Sequence, residues 1–128
     1  MSDYPVELED LYGGTTFHYR KNSLAKPHLY IILTEPEDIK GAIAVVSVNI
    51  TTQRQTKRGS DTTVVLNIGD HPFITAPSVV SYVDAEFFST EKLLRYINEE
   101  RSLSDDIEDD VLRKIQQGLL ISDFTPLE

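Results

Sequence analysis

The chain has 128 residues, of which 40% are hydrophobic and 26% are charged, and it contains no cysteine. These values fit one soluble globular domain over residues 1–128, and they exclude disulfides, thiolate nucleophiles and cysteine-based zinc sites. No apolar run approaches the ~20 residues of a membrane span, and the N-terminus lacks the basic and apolar regions of a signal peptide. We therefore expect a cytoplasmic protein with no membrane partner.

The formal net charge of −9 is concentrated at the two ends of the sequence. Residues 1–10 carry four acids and no base, and residues 84–128 carry twelve acids and five bases, whereas residues 11–83 carry seven bases and five acids. The overall acidity argues against nucleic-acid binding, which needs a basic footprint. The mildly basic middle of the chain keeps that class of function open.

The first predicted elements are short. An acidic, irregular or partly helical lead-in over residues 1–12 ends at the turn signal Gly13-Gly14, and residues 15–19 form a short strand. Residues 20–23, which include Arg20, form a basic loop.

Two runs of β-branched and aromatic residues, 26–33 and 42–52, flank a Pro/Asp/Gly break and predict two strands joined by a turn loop. Antiparallel pairing would place the start of the first strand beside the end of the second. The polar residues that would then meet at one edge of the sheet are Lys26, His28, Asn49, Thr51 and Thr52. We expect the chemistry of the protein to lie at this edge.

Loops and two further strands follow. Residues 51–60 form a long polar loop that is available for binding and carries Arg54, Lys57 and Arg58. Strands are predicted over residues 61–66 and, bulged or split, over residues 78–88, with a turn-rich segment over residues 67–73 between them.

Two helices complete the chain. Ser89 or Thr90 caps a helix of about ten residues, and Ser104 caps a longer one. The inward positions are Leu93, Leu94 and Ile97 in the first helix and Ile107, Val111, Ile115 and Leu119 in the second, with Gly118 at the edge of that stripe. The whole pattern predicts a mainly β fold with C-terminal helices (α+β). We expect a small SH3-like or OB-like antiparallel barrel with two helices packed outside.

The order of these segments resembles the MazF/PemK/Kid family of bacterial type II toxins. In that family a Gly and a short aromatic strand precede Arg-Pro and an apolar strand, a strand ending in Ile-Thr, a Ser-Val-Val strand and two helices. The matching segments here are residues 14–19, 26–32, 45–51, 77–80, 91–93 and 110–122.

The resemblance implies an SH3-like barrel that forms a homodimer, cleaves single-stranded RNA without a metal and is inhibited by a cognate antitoxin protein. It places Thr51 at the family's active-site Thr/Ser and Lys26 at the family's catalytic Arg. A lysine ammonium can neutralise a phosphate in the transition state, but it cannot grip it at two points as a guanidinium does.

Histidines are the candidate acid–base groups, because histidine titrates near neutral pH. His28 follows Lys26 by two positions, so an extended strand would place both on one face; alternatively, His28 is a strand-end residue bonded to the backbone. His71 lies in a loop that could aim it at the site or use it to stabilise a turn, and we expect His18 to be structural.

Neither a metal nor another cofactor is expected. The three histidines lack a ligand spacing such as H-x-x-x-H, and the acidic run over residues 105–110 lacks the Asp-x-Asp-x-Asp-Gly order of a calcium loop.

The candidate RNA contacts are Arg20, Thr52, Arg54, Lys57 and Arg58, and Tyr19, Tyr30 and Tyr82 could stack bases. The basic cluster could instead be a solvated loop, and the tyrosines could be packing residues. The alternative function is a non-catalytic SH3-like barrel that acts as a protein-binding or regulatory module. The lysine at the position of the family arginine and the net charge of −9 favour that alternative.

Overall fold

A computed structural model describes residues 5–20, 22, 24, 26–52, 62–123, 125 and 126. The described residues form a short 3₁₀ turn (Leu8–Asp10), strands β1 (Thr16–Tyr19), β2 (His28–Ile32), β3 (Glu37–Ile39), β4 (Ala42–Thr52), β5 (Val65–Leu66), β6 (Ser78–Ser89) and β7 (Leu103–Ser104), and helices α1 (Thr90–Glu100) and α2 (Asp109–Ile121). The fold is therefore mainly β with C-terminal helices, as predicted.

The strands form one curled, half-barrel sheet in the order β5-β6-β4-β2-β1-β7, with β3 paired to the start of β4. Every pairing is antiparallel. The predicted pairing of the two central runs is confirmed, because Leu29 of β2 lies opposite Ile50 of β4. The start of β2 and the end of β4 consequently share one edge.

Strand β2 lies at the centre of the sheet and is buried on both faces. Leu29 and Ile31 belong to one apolar cluster, which α2 completes with Leu112 and Ile115. The intervening residues of β2 point the other way, into a second cluster that α1 completes. Each fully buried aliphatic side chain contributes about 1.5–3 kcal/mol relative to an exposed one. The two helices therefore stabilise the sheet from opposite faces.

The predicted break in β6 is confirmed. Ser47 of β4 pairs with Glu86, but Asn49, only two positions further along β4, pairs with Ser81, so extra residues of β6 bulge between these points. Strand β5 is shorter than predicted, and it pairs with the first residues of β6.

The prediction that Ser104 caps the second helix is wrong. Residues Leu103 and Ser104 form β7 on the free edge of β1, and α2 begins at Asp109 after Glu108. Backbone pairing with β1 satisfies the polar groups of this segment, so they are not available for an earlier helical turn. The carboxylates at the positive N-terminus of α2 are Asp109 and Asp110.

The predicted turn loop between the central strands contains a strand of its own. Ile39 pairs with Ala42, and the two residues between them, Lys40 and Gly41, both have positive φ, 53° and 90°. Two such residues are typical of the tight turn that matches the twist of a β-hairpin.

Neither helix, nor any other among the residues described, combines the length and the apolar character that a membrane-spanning helix requires.

Candidate functional site

The shared edge of β2 and β4 forms one side of an open pocket of about 490 Å³. Four of the predicted site residues line it, namely Lys26, His28, Thr51 and Thr52. They meet because the pairing of Leu29 with Ile50 places His28 next to the end of β4. Lys26 precedes β2 instead of lying within it, but it faces the same pocket as His28.

Strand β6 supports the side of the pocket that β4 forms. Thr51 pairs with Val79 and Thr52 with Ser78, so β6 holds both threonines in register. Segment 72–76 closes the opposite rim, and Ile50 and Ile74, exposed by 5% and 4%, connect the floor to the core. A floor built from core residues keeps the polar groups above it in place.

The lining is cationic although the protein is strongly acidic. Lys26 is exposed and His28 is half-buried, and the described residues that line the pocket include no Asp or Glu. A cation beside two hydroxyl groups can hold a phosphate oxygen by charge and by hydrogen bonds. No group of three or more potential metal ligands occurs in the described parts of the chain.

His71 lies beside the pocket but does not line it. Its side chain is 3% exposed, its Nε2 lies 2.7 Å from the carbonyl oxygen of Asp105, and its Nδ1 accepts a hydrogen bond from the backbone N–H of Phe73 at 3.0 Å. This geometry places the ring proton on Nε2, where it is donated to Asp105. His71 thus fixes the rim segment, in agreement with the turn-stabilising alternative for this residue.

Arg20 lines a second concavity of about 600 Å³ that adjoins the first. Its other lining residues include His18, Tyr96, Glu100 and Arg101, and Pro27 belongs to both concavities. The predicted contacts Arg54, Lys57 and Arg58 fall outside the described residues.

Tyr30 and Tyr82 cannot stack bases, because they are 1% and 0% exposed. Tyr82 donates a hydrogen bond to the Ile115 carbonyl of α2, and Tyr30 stacks on Phe17 with ring centroids 5.5 Å apart. Tyr19 belongs to the same aromatic cluster as Tyr30. Tyr30 and Tyr82 are therefore packing residues, and Tyr19 is half-buried against the same cluster as Tyr30.

The exposed aromatic ring at the site is Phe73, which sequence reasoning did not select. Phe73 is 49% exposed, lines the first pocket and meets the ring of His18 edge-on at 4.7 Å between centroids. An aromatic residue directly after Gly69-Asp70-His71-Pro72, in a segment otherwise rich in turn residues, was the available signal.

The chain matches no protein-family model, and a search of the curated proteins finds no relative.

Proposed function

We propose that this protein is a metal-free endoribonuclease that cleaves single-stranded RNA, and that it acts as the toxin of a type II toxin–antitoxin system of the MazF/PemK kind. The observation that carries the proposal is the convergence of Lys26, His28, Thr51 and Thr52 on one pocket. These residues come from two separate segments of the chain, and they match the chemistry that cleavage through the 2′-hydroxyl requires.

In the proposed reaction the ribose 2′-oxygen attacks the adjacent phosphorus. The 2′-O–P bond forms, the P–O5′ bond breaks, and the products carry a 2′,3′-cyclic phosphate and a 5′-hydroxyl. His28 takes the proton of the 2′-hydroxyl and then returns it to the departing 5′-oxygen. Lys26 neutralises the charge that develops on the phosphorane oxygens, and the Thr51 hydroxyl holds one of them.

The proposed partners follow from the same surface. A cognate antitoxin would inhibit the enzyme by laying a disordered acidic segment over the cationic pocket, in competition with RNA. A homodimer is part of the proposal through the family resemblance.

The test is incubation of the purified, antitoxin-free protein with mixed-sequence single-stranded RNA in EDTA, followed by mapping of the cut ends. Discrete cuts with cyclic-phosphate ends are expected. Lys26→Ala, His28→Ala and Thr51→Ala should each reduce cutting at least a hundredfold, as expected for loss of a transition-state contact. Lys114→Ala, which removes an exposed charge on α2, is the control and should cut like the wild type.

The second candidate is a non-catalytic protein-binding or regulatory module. It is favoured by the lysine at position 26, because a point charge does not orient a phosphate as an arginine fork does. A folded, antitoxin-free protein that leaves RNA intact at every concentration, or residual cutting that Lys26→Ala does not change, would decide for this module.

A further inference from the structure

Two cationic concavities lie side by side on this protein. The first is the pocket around Lys26 and Thr51, and the second contains Arg20 and Arg101. They share Pro27, and the contact between His18 of the second and Phe73 of the first forms a ridge between them. The two concavities are therefore adjacent on the surface and separated by this ridge.

We propose that the second concavity binds the phosphate of a neighbouring nucleotide, and that Phe73 stacks the base between the two phosphates. This inference rests on the proposed function and extends it from one phosphate site to a path for a single strand. The ligand must be single-stranded, because a base within a duplex cannot offer its face to Phe73.

The second concavity is built from fixed parts. The backbone N–H of His18 donates to the Ser102 carbonyl at 2.9 Å, which ties the end of β1 to the turn after α1. The backbone N–H of Arg20 donates to the Tyr96 hydroxyl at 3.2 Å. Arg20 and Arg101 are therefore placed on one surface by hydrogen bonds that do not use their guanidinium groups.

The backbone of Arg101 adds an independent argument. Arg101 follows the last residue of α1 with φ of 51° and ψ of 48°, in the left-handed conformation that favours glycine. A bulky residue in this conformation costs roughly 1–2 kcal/mol. The backbone N–H of Arg101 also donates to the Ile97 carbonyl, so the end of α1 fixes the backbone that carries this exposed side chain.

The charges fit a phosphate more closely than a carboxylate-bearing protein segment. The described lining of the second concavity contains two arginines and one carboxylate, Glu100. Arginine forks match phosphate geometry at two points, and the adjoining Phe73 ring suits a base. The ridge between the two concavities consists of His18, Pro27 and Phe73 and carries no carboxylate that would repel a phosphate.

The experiment measures binding of a short, non-cleavable 2′-O-methyl single strand by fluorescence anisotropy over a range of salt concentrations. Arg101→Gly is the central variant, because glycine suits the backbone there while the guanidinium is removed. Lys40→Gly is its matched control. It also removes one exposed positive charge at a left-handed position, φ 53°, but in the β3–β4 turn, which lines neither concavity.

Arg101→Gly should melt at the wild-type temperature or above it, yet bind RNA about tenfold more weakly. The slope of log K against log salt should become shallower by about 0.7 for the lost phosphate contact. Arg20→Ala should show the same loss of affinity and the same change in slope. Phe73→Leu should weaken binding about tenfold without changing the slope, since stacking releases no counterions. Lys40→Gly should change neither quantity.

If Arg101→Gly and Arg20→Ala bind RNA as well as Lys40→Gly does, the second site is overturned. RNA cutting by the wild type would in that case still support the nuclease. Conversely, the expected binding losses with no cutting by the wild type would overturn the nuclease and retain the RNA path. Losses of equal size for an acidic peptide and for the RNA strand would also overturn this proposal, in favour of a protein ligand.

Discussion

Lys26 is the residue on which the proposed chemistry depends most directly. It is exposed at the mouth of the first pocket, beside the half-buried His28 and the hydroxyl of Thr51. An ammonium group stabilises phosphorane charge without fixing its orientation, whereas a guanidinium also supplies two parallel hydrogen bonds. In the proposed reaction the lysine would therefore hold the transition state by charge, without the second hydrogen bond of a guanidinium.

We predict that Lys26→Arg raises the single-turnover rate of RNA cleavage about tenfold, which corresponds to about 1.4 kcal/mol of transition-state stabilisation. The reason is the second hydrogen bond to the developing phosphorane. The rate is measured with saturating enzyme so that substrate affinity does not contribute. Lys40→Arg, a like change on the β3–β4 turn, should leave the rate unchanged, and a slower Lys26→Arg enzyme would contradict the role given to this cation.

His71 shows how burial changes the interpretation of a residue that could perform catalysis. Both of its ring nitrogens have partners in the fold, the Asp105 carbonyl and the Phe73 N–H. A general base must instead reach the proton that it abstracts. These contacts fit the turn-stabilising alternative for His71, so the proposed reaction uses His28 for the acid–base step.

At the scale of elements, the packing of α2 on the sheet depends on one glycine. Tyr82 of β6 passes under Gly118 so closely that a Cβ there would overlap the tyrosine hydroxyl and lie 2.7 Å from Val64 Cγ2. The same hydroxyl donates to the Ile115 carbonyl at 2.8 Å. The close approach at this edge of the apolar stripe is therefore made by a buried side chain and not by a neighbouring backbone.

We predict that Gly118→Ala lowers the free energy of unfolding by about 2 kcal/mol or more, since overpacking forces α2 away from β6. The direction of this change is diagnostic, because Gly→Ala inside an exposed helix normally raises the free energy of unfolding by about 1 kcal/mol. Urea unfolding measures the change. Gln117→Ala, at the exposed neighbouring position, is the control and should be neutral or stabilising; a stabilised Gly118→Ala protein would show that the contact is not tight.

At the scale of the whole molecule, the net charge and the local charge have opposite signs. The chain carries −9, yet the two adjoining concavities expose Lys26, Arg20 and Arg101. Charges further apart than about 8 Å are largely screened at physiological salt. Local cations can therefore bind a phosphate on an acidic protein, which is what the proposed RNA sites require.

The stability of the whole fold should fall below about pH 6.5, and His18 is one cause. Removal of this imidazole from water lowers its pKa from the usual 6.5, and the nearby His71 lowers it further by charge repulsion. The unfolded chain then binds more protons than the native one below that pH. His18 consequently contributes stability that is complete above the unfolded pKa and is lost as the pH falls through the lower, native pKa.

Melting temperatures between pH 7.5 and pH 5 test this sign. The wild type should lose stability toward acid, and His18→Gln should lose less over the same interval, because its side chain does not titrate. Lys92→Gln, at an exposed position on α1, should retain the wild-type slope. An equal slope in His18→Gln and the wild type would assign the acid sensitivity to other groups.

The sequence by itself determined the longer strands, the two helices and the main edge of the sheet. Runs of β-branched residues on both sides of a Pro/Asp/Gly break predict two strands, and the short loop between them limits the register of their antiparallel pairing. That register is sufficient to bring Lys26, His28, Thr51 and Thr52 together. Alternation and helical period are local properties, which a linear sequence expresses directly.

Only the tertiary structure decided what depends on contacts distant in sequence. Ser104 has the composition of a helix cap, but the free edge of β1 recruits it as a strand. His71 becomes a buried support because Asp105 lies beside it in space, and Phe73 becomes an exposed ring at the ridge for the same reason. Arg101 joins Arg20 because backbone bonds connect β1 to the end of α1. Sequence period fixes which face a residue occupies, whereas the three-dimensional packing determines what that face meets.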